Sequence, residues 1–274
     1  MTVTNAVETT MIWGTVSGAS MVGMVISLLL SVVLPIFLGI FIYKKTKAWV
    51  PAFFIGCGIF VGFAMILEQI CHAIVLTVTG SAIQDNIWLY AIYGGLAAAL
   101  FEECGRWIAM KFCLKKHLTR ENALMYGAGH GGIEAFLILG MSSMSNLLTA
   151  AMINGGLMEK TMTALEPAQQ EVTYHQLSVL WTTPAYQFYL APVERISAIA
   201  LQIALSILVY SAVKTGRKLH LAAAFGLHFA VDFLTVVCAS MIPTWALELG
   251  LLVVVAVICA AVYKLVYVHS AEKK

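Results

Sequence analysis

Seven apolar runs, each about 20 residues or longer, follow one another along this chain, and lipid is the solvent in which such a series folds. They fall near Ser20–Tyr43, Trp49–Val78, Ile87–Leu114, Asn122–Met152, Phe188–Val213, Leu219–Met241 and Thr244–Val268. Hydrophobic residues make up 61% of the 274 and charged residues 11%. With a mean hydropathy of +0.89, the composition excludes a soluble enzyme. The expected fold is all-α: a polytopic membrane helix bundle of about seven transmembrane helices, one domain over residues 1–274. The polar stretch 153–187 is expected as an exterior loop or short helix. Because the basic residues do not form a face, nucleic acid is excluded as a partner; the lipid bilayer is the partner that remains.

Those basic residues set the orientation. Lys44, Lys45 and Lys47 follow the first run; Lys111, Lys115, Lys116 and Arg120 the third; Lys214, Arg217 and Lys218 the fifth; Lys264, Lys273 and Lys274 the seventh. In a seven-span chain all of these lie on one side, which the positive-inside rule makes cytoplasmic, so the N-terminus is expected outside and the C-terminus inside. The N-terminal stretch carries Glu8 but no Lys or Arg, so the first span is expected to be retained rather than cleaved as a signal peptide. The six cysteines show no CxxC spacing and do not form a disulfide framework or thiolate metal site.

Against this apolar background, ionisable side chains recur at helical spacing. Glu102 and Glu103 precede Arg106 in the third run, His130 precedes Glu134 in the fourth, and His228 precedes Asp232 in the sixth. Spacings of three or four residues place each set on one helix face. A charge in hydrocarbon costs at least a few kcal/mol, so such groups turn toward one another or toward water inside a bundle. At 1.5 Å per residue, His130, His228 and Glu102 lie roughly 12, 14 and 18 Å from the lysine-rich ends of their spans. These similar depths predict a shared polar site in the cytoplasmic half or near the midplane. Glu68 with His72, and Glu194 with Arg195, form a second polar cluster nearer the exterior, either a structural network or an outward extension of the same cavity.

A carboxylate with two imidazoles can position and deprotonate water for amide hydrolysis, and an imidazole can donate to a developing oxyanion. The same groups, Glu102, His130 and His228, can alternatively hold zinc with an open position, although the HExxH arrangement of zinc proteases is absent. A proton- or ion-coupled transporter would also use intramembrane carboxylates and histidines, but no internal repeat accompanies them. A non-catalytic membrane scaffold is the third class.

The string Glu102-Glu103-Cys104-Gly105-Arg106, the Tyr126 to His130 element and the His228 to Asp232 element occur in that order on successive spans. The series resembles the CAAX prenyl protease and bacteriocin-processing superfamily of glutamic-type intramembrane proteases. His130-Gly131-Gly132-Ile133-Glu134-Ala135 and Pro192-Val193-Glu194-Arg195 are most similar to its bacterial YhfC branch of membrane peptidases. The resemblance implies a protease-like domain in a bacterial cell membrane that hydrolyses a peptide bond of a membrane-associated protein or peptide. It implies Glu102 as the base that activates water, His130 as the residue that helps hold that water, and His228 with Asp232 as the oxyanion-stabilising pair. It further implies Glu134 as an additional catalytic or supporting carboxylate, Glu103 with Arg106 as a structural ion pair, and no cofactor, with zinc as the alternative. Two departures stand out: two residues rather than three separate the glutamate pair from Arg106, and Asp232 occupies a position where Asn is expected.

Overall fold

Seven long helices account for the seven apolar runs, in a computed structural model that describes residues 11–269. Glu8, Lys273 and Lys274, on which parts of the topology reading rest, lie outside the described residues. The membrane-spanning helices are α1 (Gly18–Thr46), α2 (Pro51–Thr79), α3 (Ile87–Cys113), α4 (Arg120–Asn154), α7 (Ala185–Thr215), α8 (Lys218–Ala239) and α9 (Thr244–Tyr267). Between α4 and α7 lie α5 (Leu157–Met162) and α6 (Pro167–Thr182). The stretch expected as an exterior loop or short helix is therefore mostly helical. No strand occurs among the described residues.

Local sequence explains where these helices begin and end. The Ser17 side chain accepts from the Ser20 amide at the start of α1, Asn86 from the Trp88 and Leu89 amides at α3, and Thr119 from the Asn122 amide at α4, each satisfying donors that a helix start leaves open. Pro51 and Pro167 open α2 and α6, where a missing N–H costs nothing. Gly216, at φ 73°, closes α7 in the left-handed region. Four of the long helices also contain π-helical stretches: Val61–Glu68 in α2, Ala109–Cys113 in α3, Phe136–Gly140 in α4 and Tyr263–Tyr267 in α9.

Helix α7 is the axis of the bundle. In its apolar window 72% of residues are buried, against 17–33% in the other spans, and α1, α4, α8 and α9 all pack against it. The remaining spans turn large apolar side chains outward, among them Phe37, Ile74, Val253 and Leu265, as a lipid-facing surface requires. Close approach of α4 to its neighbours depends on glycine. A methyl group at Gly129 would run into the Phe53 carbonyl of α2, one at Gly127 would lie 2.7 Å from Ile203 Cα of α7, and one at Gly131 would lie 3.0 Å from Ile199 Cα. Without a hydrophobic drive between helices in lipid, this backbone proximity is what associates them. At the end of the bundle opposite the lysines, Asn154 pins the segment before α1 by accepting from the Val16 amide at 2.8 Å and donating to its carbonyl at 3.0 Å. Trp13, Tyr174 and Trp181 cluster beside it with ring centroids 5.5–5.7 Å apart.

Gly129→Ala is expected to lower the thermal unfolding midpoint of the detergent-solubilised protein, through an overpacking cost of about 1–3 kcal/mol. Gly58→Ala, where an added methyl meets open space, is expected to leave the midpoint unchanged or slightly higher.

Candidate active site

Four helices contribute to one buried polar network whose focus is Glu102 Oε2 on α3. His130 Nε2 of α4 lies 2.9 Å from that oxygen, the Gln202 amide of α7 donates to it at 2.9 Å, and His228 Nε2 of α8 lies 4.0 Å away. Both hydrogen bonds that Glu102 accepts go to Oε2, which leaves Oε1 free of them. His130 is fully buried, with its ring edge-on to Phe60 at 5.2 Å and Nδ1 3.5 Å from the Tyr126 hydroxyl.

Glu103 does more than the structural pairing expected of it. Its Oε1 accepts from Arg106 Nη1 at 2.9 Å and also from His228 Nδ1 at 2.8 Å. A carboxylate can only accept, so the network assigns a proton to Nδ1 and turns Nε2 toward Glu102 and toward Asp232 Oδ2, 3.5 Å distant. Asp232 is the most open of these groups, its side chain 34% exposed.

Gln202 was not singled out in the sequence, yet it joins the parts. Its Nε2 donates to Glu102 Oε2 and, at 2.8 Å, to Glu134 Oε2, while its Oε1 accepts from Arg106 Nη2. The other Glu134 oxygen is held by Arg195 Nη1 at 3.1 Å, and Arg195 also pairs with Glu194. A cavity of about 400 Å³ opens among these groups, and Glu68, Glu194 and Arg195 share its wall with Glu102, His228 and Asp232. The second polar cluster is thus continuous with the first. His72 alone stays outside it, 3.2 Å from Glu68 and 2.7 Å from the Tyr93 hydroxyl. Glu248 of α9 is a further buried carboxylate that sequence reading passed over, its Oε2 without a hydrogen-bond partner.

The donor chemistry fits a zinc-type ion. Tetrahedral zinc with bonds of about 2.0–2.2 Å separates its donor atoms by roughly 3.3–3.6 Å; between Glu102 and the two imidazoles the spacings are 2.9 Å to His130, shorter than that, and 4.0 Å to His228, longer. The Glu103 carboxylate behind His228 is the outer support that a metal-binding imidazole uses. Among the described residues no group of three or more His, Cys, Asp or Glu side chains is arranged to hold a metal ion; the residue types suit zinc, while Glu102 and His130 stand in direct contact with each other.

The fold and the site together define a multi-pass membrane protein with a carboxylate- and imidazole-lined cavity inside its bundle. The chain belongs to the YhfC intramembrane metalloprotease family, whose model matches residues 30–259. A relative from Bacillus subtilis (strain 168), described as "Uncharacterized membrane protein YhfC", is 42% identical over 222 residues, which span 78% of this chain and 83% of the relative. No solved structure matches. The family description fits the zinc alternative and lends no support to the cofactor-free expectation.

Removing the Glu103 carboxylate leaves Arg106 and His228 buried without their shared acceptor. Glu103→Ala is expected to destabilise the fold by about 3–5 kcal/mol, read as a large drop in thermal midpoint in detergent, with Glu103→Gln intermediate.

Proposed function

We propose that the protein is a metal-assisted intramembrane endopeptidase that hydrolyses a peptide bond of a membrane-associated protein or peptide. The observation that carries this reading is the convergence of His130 and His228, from separate spans, on Glu102 at the wall of a polar cavity. Membership of a metalloprotease family supports it. Glu102, His130 and His228 would hold the ion, which when bound supplies a Lewis acid for the scissile carbonyl and a more acidic water.

The chain's own residues do the rest. Glu103 fixes the His228 tautomer, and Gln202 with Arg106 fixes the Glu102 carboxylate, so that the donors are oriented before substrate arrives. Asp232 lines the cavity and pairs with His228 Nε2 at 3.5 Å, and it accepts the proton of the attacking water. After the tetrahedral intermediate collapses, the same carboxyl returns that proton to the leaving amine. A carboxylate at this position gives meaning to the departure from Asn. Glu134, with both oxygens held by Gln202 and Arg195, is a supporting group rather than a base. Family membership favours hydrolysis over ion-coupled transport.

A second reading is the glutamic one, in which Glu102 itself activates water; the direct contact between Glu102 and His130 favours it. Zinc content and peptide cleavage, measured on the same purified variants, separate the two. Metal assistance predicts about one zinc per chain, reduced in Glu102→Ala, His130→Ala and His228→Ala. It also predicts that Asp232→Asn keeps its zinc while kcat falls by about 10²–10⁴. Cleavage that survives full zinc removal but is lost in Glu102→Gln would establish the glutamic mechanism. Cleavage retained in Glu102→Ala and His130→Ala alike would overturn both.

A further inference from the structure

The cavity has a direction. On α3 its wall runs from Glu102 back through Ala98 to Gly94, away from Lys111; on α4 it runs forward to Ile138, away from Arg120. On α8 it continues past His228 to Thr235 and Val236, away from Lys218, and on α7 it runs from Gln202 back to Glu194, away from Lys214. On α2 it extends from Phe60 to Gln69, away from Lys47. All five helices therefore agree: the cavity leaves the Glu102 focus toward the face opposite the lysine clusters. At one side it adjoins an apolar groove between α8 and α9, and Val231, Thr235 and Leu251 line both.

Depth alone predicts a polar site in the cytoplasmic half or near the midplane; the cavity extends from Glu102 away from the lysine-rich side. On that side the site is sealed by packing: Met110, Leu114, Met125 and Tyr126 are at most 1% exposed. The polar wall away from the lysines, with Glu68, Asp232, Glu194 and Arg195, is a surface that water can wet.

From this geometry and the positive-inside rule, we infer that the site is reached from the extracytoplasmic face. Its substrates are then membrane-anchored polypeptides whose scissile bond lies in the outer half of the bilayer or just beyond it. The groove between α8 and α9 receives the adjoining apolar segment from the lipid. A peptide entirely on the lysine-rich side does not meet the catalytic groups. The substrate statement rests on the proposed hydrolytic function; the access statement does not.

The test uses the full chain, with its six native cysteines replaced and single cysteines placed at Ala98, Thr235 or Lys116. A small membrane-impermeant cationic methanethiosulfonate is applied to intact cells and to inverted vesicles. Labelling of Ala98→Cys and Thr235→Cys from the cell exterior, with Lys116→Cys labelled only in inverted vesicles, is the expected result. Labelling of the two cavity positions only in inverted vesicles, or from neither side, would overturn the proposal, as would exterior labelling of Lys116→Cys. In the native-cysteine protein, cleavage sites in a single-span peptide in nanodiscs should fall in the half facing the cavity mouth; cuts confined to the lysine-side half would contradict the substrate statement. Absence of any cleavage alongside the expected labelling would reject the hydrolase reading and leave the access route standing.

Discussion

A guanidinium with no exposure to solvent, in the middle of an apolar bundle, is the constraint around which this structure is arranged. Arg106 is fully buried, and an isolated charge in such a place would cost far more than a small membrane protein can absorb. Three acceptors from two helices surround it: Glu103, Glu102 at 3.9 Å, and the Gln202 amide oxygen. Each acceptor has a second task. Glu103 also holds His228, Glu102 also meets His130, and the other end of Gln202 grips Glu102 and Glu134. The ion pair is thus the foundation on which the reactive groups are oriented, and architecture and chemistry share the same carboxylates.

The central position of α7 follows from the same need. A hub amide that reaches helices on two sides has to sit on the helix that both can approach, and the α4 glycines allow that approach to backbone contact at Ile203 and Ile199. Substitutions in the packing seam and in the polar network would therefore reinforce one another, since a small displacement of α4 would draw His130 and Glu134 away from Glu102 and Gln202 together.

Much of this was legible in the sequence, for identifiable reasons. Span number follows from run length, because lipid permits few alternatives to a helix. The pairs at Glu102 to Arg106, His130 to Glu134 and His228 to Asp232 declare a helix face through their spacing, and their similar depths foretold that they would meet. What remained hidden depends on contacts between spans. Gln202 is uncharged, and a single amide in an apolar run is a weak signal, since such residues commonly bond across helices without a further role. The double duty of Glu103 could not be read from its i,i+3 relation to Arg106, because His228 lies 125 residues away. The continuity of Glu68, Glu194 and Arg195 with the main site, and the direction of the cavity, likewise emerge only once α2 and α7 are placed beside α3 and α8.

The π-helical stretch of α2 has a rotational consequence. An α-helix advances about 100° per residue, so the twelve steps from Gly56 to Glu68 would swing Glu68 roughly 120° away from the direction of Gly56. A π-bulge absorbs one residue into a wider turn and brings that angle back to roughly 20°. Gly56 lies against the Tyr126 carbonyl of α4, and Glu68 lines the cavity, so one helix presents nearly the same azimuth twice. Turning Val61–Glu68 into regular α-helix at unchanged length would rotate the outer half by roughly 100° and carry Glu68 and His72 round toward lipid, whereas removing one residue together with the bulge would keep their phase. The phase of α2, rather than its hydrophobicity, decides which side chains the cavity contains.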